Sequence, residues 1–121
     1  MIRTREQKRK RRHVRHRQKI AGTSERPRLV ARRTAKHIHA QIVDDMSGMT
    51  LVAATTDVKA NSKEQSRNCA NIAFAKMLGG EIAEKALAKG VDKVVFDCCG
   101  GVYHGVLKAF AEAAREKGLQ F

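Results

Sequence analysis

The residues whose chemistry is easiest to assign lie at the start of the chain. Between Arg3 and Lys19 there are ten Lys or Arg and a single acid, Glu6. The basic residues are Arg3, Arg5, Lys8, Arg9, Lys10, Arg11, Arg12, Arg15, Arg17 and Lys19. Cations at this density neutralise the phosphates of a nucleic acid and release its counterions. We therefore assign RNA binding to residues 1–20, which we call the arm.

The arm is not expected to fold by itself. Val14 is the sole apolar residue between Arg3 and Lys19, so the segment cannot bury enough surface to offset its ordering entropy. Its many good helix formers allow phosphate contact to fold it into a helix. A solvated tail is the weaker alternative because so many like charges repel one another. A membrane surface is also weaker, because the arm has no apolar face to insert.

A second candidate is the glycine-rich stretch Gly100–Gly105, which lies between a predicted strand and a predicted helix. Such loops can present backbone N–H groups to phosphate. The spacing is not G-x-G-x-x-G and no P-loop lysine follows, so a nucleotide site is disfavoured. An RNA contact with Tyr103, His104 and Lys108 nearby is one interpretation. A tight turn that uses glycine for positive φ is the other.

Metal binding and catalysis are less well supported. Cys98, Cys99 and His104 are close in sequence, but adjacent cysteines chelate one ion poorly and no C-x-x-C pair exists. We expect buried, inert thiols, no metal and no cofactor. The spacing of the aspartates does not require a metal-dependent nuclease, and the first two are interpreted as loop residues; they are Asp44, Asp45, Asp57, Asp92 and Asp97. The chain is therefore not predicted to be an enzyme.

Composition fits one small domain behind the arm. The chain has 121 residues and a net charge of +13. Ten basic residues minus one acid give the arm nine of those charges, and the remainder holds 15 basic and 11 acidic residues. Residues 21–121 are expected to form a single domain. No apolar run is long enough to span a bilayer, and three cysteines, two of them adjacent, favour a reducing compartment, hence the cytoplasm.

Three predicted strands follow a linker at residues 20–27. They cover residues 28–33, 37–43 and 50–56 and form an antiparallel meander, with a hairpin loop at residues 44–49. Period-two alternation places an apolar set on one face, Leu29, Ala31, Ile38, Ala40 and Ile42. The other side, which we call the polar face, carries Arg28, Arg32, His37, His39 and Gln41.

The polar face is the second candidate RNA surface. Arg26, Arg33 and Lys36 at its borders are included in the predicted RNA contacts. A solvated sheet face explains the same pattern equally well. The chain has few aromatic residues, so stacking on RNA bases cannot dominate, and His39 and Tyr103 are the best candidates for it.

A helix should begin between Ser62 and Asn71, with Ser62 and Gln65 at capping-box spacing. Its apolar stripe is Ile72, Ala75, Gly79, Ile82 and Ala86, and Gly90 should end it. Gly79-Gly80 inside the stripe predicts close approach to the sheet, or a break. A strand at residues 91–97, buried on both faces, then completes a right-handed crossover.

A last helix carries Leu107, Phe110, Ala111 and Ala114 on one side and stops at Gly118. Leu119 and Phe121 are expected to pack back on the core. The predicted fold is a layered α/β domain, with a three-stranded meander, a crossover helix, a fourth strand and a C-terminal helix behind a basic arm.

Several motifs, in order along the chain, resemble the bacterial ribosomal protein L18 family of the large subunit. They are Glu25-Arg26-Pro27-Arg28-Leu29, Lys36-His37-Ile38-His39-Ala40-Gln41, Glu84-Lys85-Ala86-Leu87-Ala88-Lys89-Gly90, Val95-Phe96-Asp97, Tyr103-His104-Gly105 and residues 111–121. The resemblance implies a three-layer α/β domain that binds 5S rRNA. It implies attachment of that RNA to large-subunit rRNA at the central protuberance, beside neighbouring ribosomal proteins, without catalysis.

The chain departs from the family pattern at four positions. Cys98 and Val106 stand where the family usually has arginine, and Arg32 and His39 stand where aromatic residues are common. The loop between Cys98 and Val106 is therefore expected to contact RNA through its backbone, Tyr103 and His104. Two other functions stay open: a general nucleic-acid architectural protein and, less favoured, a metal-dependent nucleic-acid enzyme.

Overall fold

A computed structural model describes residues 2–56 and 70–121. Seven elements follow one another along these residues. They are α1 (Arg5–Arg17), β1 (Arg28–Arg33), β2 (Ile38–Asp44), β3 (Met49–Thr55), α2 (Ile72–Ala88), β4 (Val95–Asp97) and α3 (Val106–Glu116). No helix among the described residues is both long enough and apolar enough to cross a bilayer.

The four strands form one sheet in the order β3-β2-β1-β4. β1 and β3 both run antiparallel to β2. β4 lies parallel to β1, with Arg28 opposite Val95. The predicted α/β class is confirmed, including the meander and the added fourth strand. α2 carries the chain from β3 at one edge of the sheet to β4 at the other.

The apolar set predicted from strand alternation forms the core side of the sheet. Leu29, Ala31, Ile38, Ala40 and Ile42 are at most 1% exposed. β1 has the predicted bounds, and β2 and β3 are each shifted by one residue. The hairpin turn is held by Asp44, whose Oδ1 accepts from the backbone N–H of Met46 at 3.0 Å. The meander is thus specified by local pattern.

α2 begins at an Asn71 cap, whose side chain accepts from the backbone N–H of Phe74 at 3.0 Å. The alternative cap at Ser62 and Gln65 lies outside the described residues. Most of the predicted stripe is buried, but Ile72 is 52% exposed, so its assignment to the core was wrong. Ile72 opens the helix, and the buried residues of α2 begin only at Ala75.

The fourth strand is shorter than predicted and is not buried on both faces. It spans only Val95–Asp97, and Val95 and Phe96 are half-buried. Among the described strands, β4 lies at the edge of the sheet and pairs with β1. The preceding Val94 is buried for another reason: its N–H donates to the Gln120 carbonyl, 3.0 Å away. Val94, the first residue of the apolar run Val94-Val95-Phe96, is therefore held by contact with the C-terminal residues rather than by pairing within the sheet.

α3 packs on α2 and the sheet as its pattern predicts. Leu107, Phe110, Ala111 and Ala114 are all buried. Gly118, at φ +116°, follows the helix end. Leu119 is 3% exposed, and the ring of Phe121 lies 5.4 Å from that of Phe96. The two helices therefore cover one side of the sheet and leave the polar face to other partners.

Gly79 allows the two helices to approach each other closely. α2 runs through Gly79-Gly80 without a break, so the predicted alternatives, a break or close approach to the sheet, were both wrong. A Cβ on Gly79 would collide with the Phe110 carbonyl oxygen and lie 3.1 Å from the Ala113 Cβ, both in α3. A Cβ on Gly80 would meet nothing closer than the Lys117 Cε at 3.5 Å.

This contrast predicts opposite effects of the same substitution at adjacent positions. Gly79→Ala should destabilise the domain, because α2 and α3 must move apart. Gly80→Ala should stabilise it by up to about 1 kcal/mol, because alanine has the higher helix propensity. Urea unfolding of both variants and the wild type measures the two changes in the free energy of unfolding. Equal stabilities of the two variants would contradict the close approach at Gly79.

Candidate nucleic-acid interface

The arm forms a helix with a complete capping box. The Thr4 hydroxyl accepts from the backbone N–H of Gln7 at 3.2 Å, and the Gln7 side chain accepts from the backbone N–H of Thr4 at 3.0 Å. None of the residues of α1 is buried. This helix differs from the unfolded segment that charge density predicts for the arm alone. The difference has a physical cause, because acceptors on the domain meet the cations on one side of α1.

The inner side of α1 contacts the segment around β4. The Arg9 guanidinium donates to the Cys99 carbonyl and that of Arg12 to the Gly100 carbonyl, both at 2.9 Å. The His16 Nε2 lies 3.2 Å from the Phe96 carbonyl. Two of the arginines that were predicted to bind RNA therefore donate to protein carbonyls. These contacts fix the orientation of the helix on the domain.

A network centred on Arg28 lies beside the arm. Its guanidinium donates twice to Asp45, at 3.0 and 3.1 Å, and once to Asp97, at 2.7 Å. The Arg28 side chain is 13% exposed and Asp97 is fully buried. Arg28 was predicted to bind RNA, and this geometry also gives it a structural role, since three of its five N–H groups donate to two carboxylates.

Asp45 is the acceptor that joins the arm, the linker and β1. Besides Arg28, its Oδ2 accepts from the Gly22 backbone N–H at 2.7 Å and from Arg17 at 3.3 Å. The Arg28 hydrogen bonds, aided by those of Gly22, lower the pKa of Asp45 from 3.8 to about 2. The sequence indicated only a loop residue here. The signal that was missed is two consecutive aspartates after a strand in a strongly basic chain.

The outer side of α1 presents cations without protein partners. Arg11 and Arg15 are exposed, and within the described residues neither makes an ion pair or a side-chain hydrogen bond. A shallow groove on this side is lined by Ile2, Arg3, Lys8, Arg11, Arg12 and Arg15. Arg5, Lys10 and Lys19 are also exposed. The outer side of α1 is therefore available to phosphates.

The polar face of the sheet lies on the same side of the domain as α1. Arg28 and Asp97 belong to this face by strand alternation, and the arm contacts both Asp97 and its neighbour Asp45. Arg32 is exposed on this face, whereas Arg33 alternates to the other side of β1 and Lys36 is exposed in the turn before β2. A second groove runs over the face, lined by Val30, Arg32, Thr34, His39, Gln41 and Cys99. Two grooves with basic linings thus share one side of the molecule.

The two histidines of the polar face are held by threonines. The His39 Nδ1 lies 2.8 Å from the Thr55 hydroxyl, and the His37 Nδ1 lies 3.2 Å from the Thr56 hydroxyl. Their rings are 6.4 Å apart. The predicted stacking role of His39 remains open to it, because its ring borders the groove on the polar face.

Comparison with known proteins gives the family. Residues 3–121 match the family described as ribosomal L18 of archaea, bacteria, mitochondria and chloroplast. The chain belongs to the ribosomal L18 family. Relatives named large ribosomal subunit protein uL18 include one from Clostridium botulinum (strain Langeland), 54% identical over 97% of this chain and 95% of the relative. Another, from Dictyoglomus thermophilum, is 49% identical over 98% and 97%. L18 proteins are ribosomal proteins, not an enzyme family, and associate with rRNA.

The loop that follows β4 contacts the arm at its start. Cys99 and Gly100 have φ of +54° and +79°, and their carbonyls accept from Arg9 and Arg12. A Cβ on Gly100 would collide with the Arg9 carbonyl oxygen, so glycine is required there. A contact between the loop backbone and phosphate stays a prediction. In the structure the loop offers two carbonyls to the arm.

The remaining predicted contacts lie elsewhere. Tyr103 packs edge-on against Phe96, 6.2 Å between centroids, and its hydroxyl accepts from Arg115 at 3.0 Å. His104 is exposed, and the Lys108 ammonium is 4.0 Å from the Glu112 carboxylate. Arg26 donates to the Val94 carbonyl at 3.2 Å. Phe96 belongs to the helix side of the sheet, so the structure does not bring Tyr103 together with the polar face.

The structure gathers different metal-ligand residues from those considered in the sequence. Within the described residues, the possible cluster is His13, Asp97 and Cys99, rather than Cys98 with His104. Both thiols are half-buried. Burial raises the pKa of Cys98 to about 11 and also raises the pKa of Cys99. The aspartates Asp45 and Asp97 do converge, but an arginine lies between them.

Acid should weaken the domain through Asp45. Its folded pKa is depressed, so its contribution is present above the unfolded pKa of 3.8 and is lost as pH falls toward about 2. The shift corresponds to about 2 kcal/mol. Asp45→Asn should remove this part of the acid sensitivity, whereas Asp92→Asn, at an exposed position, should keep it. Urea unfolding between about pH 6 and 3 gives the comparison. Parallel pH profiles of the wild type and the Asp45 variant would contradict the role of Asp45.

Proposed function

We propose that this L18 protein binds 5S rRNA and helps to attach it to large-subunit rRNA at the central protuberance. In this proposal it acts in the cytoplasm, within the large ribosomal subunit, beside neighbouring ribosomal proteins. The observation that carries the proposal is the position of the basic groups. The unpartnered cations of α1 and those of the polar face share one side of the domain, while α2 and α3 cover the other.

Recognition would rest on shape and phosphate position. The deep groove of A-form RNA hides its base edges, so proteins contact its backbone and 2′-hydroxyls. The docked helix holds Arg11 and Arg15 in fixed positions relative to Arg32 on the polar face. A rigid arrangement of cations favours one folded RNA over others, which a disordered basic tail cannot do to the same degree.

The rival functions have less support from the geometry. A metal-dependent nuclease would need exposed carboxylates to hold Mg²⁺ against RNA, but Asp97 is fully buried and both oxygens of Asp45 accept from Arg28. A general architectural protein would bind duplex DNA as tightly as structured RNA. Both rivals give distinct results in the binding experiment described next.

The first experiment measures binding to 5S rRNA and to a scrambled RNA of equal length across a salt series, with duplex DNA as a third ligand. Preference for 5S rRNA that persists at physiological salt is expected. If about eight phosphates are contacted, log affinity should fall with log salt at a slope of roughly −6 to −7. Equal affinity for all three ligands, or RNA cleavage in magnesium, would contradict the proposal.

Charge-matched variants should locate the contact. Arg11→Gln with Arg15→Gln removes two cations of the outer side of α1, and should reduce the magnitude of the salt slope by about 1.5. Lys76→Gln with Lys93→Gln removes two exposed cations from α2 and the start of the β4 segment, and should leave the slope nearly unchanged. Deleting residues 1–19 should flatten the slope strongly. Equal slopes for the two double variants would rule out the outer side of α1 as the RNA contact.

A further inference from the structure

We propose that His13, Asp97 and Cys99 form a zinc-binding site that fastens the arm to the domain. The three residues come from α1, from the end of β4 and from the loop after it. One ligand atom from each, the imidazole nitrogen, a carboxylate oxygen and the sulfur, lies within 4.8 Å of the other two. Such a site would join segments that are more than eighty residues apart in sequence.

The distances suit a tetrahedral ion after small side-chain movements. Zinc binds imidazole nitrogen and carboxylate oxygen at about 2.0–2.2 Å and thiolate sulfur at about 2.3 Å, which places neighbouring ligand atoms of a tetrahedron roughly 3.3–3.7 Å apart. The His13 Nε2 and Asp97 Oδ2 are 3.6 Å apart. The pair is therefore already at the edge length of a zinc tetrahedron.

His13 gives an independent reason to place an ion here. Its Nε2 is buried, and among the described residues it is the buried side-chain nitrogen or oxygen that lacks a hydrogen-bond partner. The 3.6 Å to Asp97 is longer than an N–H···O hydrogen bond of about 2.7–3.2 Å. A buried polar atom without a partner is unfavourable, and a metal ion between the two groups would satisfy it.

Asp97 is positioned as a metal ligand normally is. It is fully buried, its Oδ1 accepts from the Cys99 N–H at 2.9 Å, and its Oδ2 accepts from Arg28 at 2.7 Å. Each carboxylate oxygen can accept about two such contacts, so Oδ2 retains a lone pair for an ion. Hydrogen bonds of this kind hold ligands in orientation around a metal.

The donor set indicates zinc. Magnesium and calcium prefer oxygen ligands, whereas a mixed set of imidazole, carboxylate and thiolate suits zinc. Binding forms a bond between zinc and the Cys99 sulfur, and the thiol proton leaves to the buffer. The thiolate and the carboxylate then balance the two positive charges of the ion. Neutralisation of the ion matters because the positive charge of Arg28 lies beside the site and would repel an uncompensated cation. Water would take the fourth position.

The test uses Co²⁺ as a spectroscopic substitute for Zn²⁺ on the purified full-length chain without RNA. A one-to-one titration should give the charge-transfer band of a cobalt–thiolate bond and the visible bands of a tetrahedral site, and added Zn²⁺ should displace both. Cys99→Ser should abolish the charge-transfer band. His13→Ala removes a ligand and should weaken binding by at least the roughly tenfold that loss of a ligand's outer hydrogen-bond partner costs.

Two neighbouring residues supply matched controls. Cys98→Ser removes the adjacent thiol, and His16→Ala removes the next histidine on the inner side of α1, which contacts Phe96 instead. Both variants should bind Co²⁺ like the wild type. The proposal is overturned if the wild type gives no thiolate band, if Cys98→Ser removes the band, or if His13→Ala binds as tightly as His16→Ala. None of these results depends on RNA binding.

Discussion

The contact on which the other features depend is the bridge from Arg28 to Asp45 and Asp97. Arg28 opens β1, Asp45 follows β2, and Asp97 ends β4. These two carboxylates also meet the arm, through Arg17 and His13. Removing one partner of a buried ion pair leaves an uncompensated charge, at a cost of about 3–5 kcal/mol. The bridge therefore fixes the edge of the sheet and the position of the arm together.

The two sides of the sheet differ in what can pack against them. Apolar residues at every second strand position receive α2 and α3, and the helices meet closely at Gly79. The polar face cannot take another apolar layer, because it carries Arg28, Asp97 and His39. A basic helix that supplies its own donors is a suitable cover for its edge. The sheet thus has an apolar side that is packed against helices and a polar side that is open to an anionic partner.

Local pattern was enough to predict the first three strands, the last helix and the packing of Phe121. Signals of period two for strands and 3.6 for helices depend on near neighbours, and burial follows them directly. The Arg28 bridge was not predictable in this way, because its partners are 17 and 69 residues away. Nothing in the spacing of Asp45 or Asp97 shows that an arginine will lie between them. Glycine at position 79 inside the helix stripe indicated a close approach, but its partner in α3 could be identified only from the packing.

The structure of the arm also depends on contacts that are distant in sequence. Charge density alone predicts an unfolded segment, because ten cations repel one another and little apolar surface can be buried. That reasoning treats every cation as equivalent.

On the helix the cations are not equivalent, since Arg9, Arg12 and Arg17 face carbonyls and a carboxylate while Arg11 and Arg15 face away. The contacts of the inner cations with these acceptors reduce the repulsion that opposes helix formation, and the outer cations stay exposed. An arm ordered before binding loses less entropy on RNA than a disordered one. In the proposed function, the acceptors of the domain therefore contribute to RNA affinity without touching RNA.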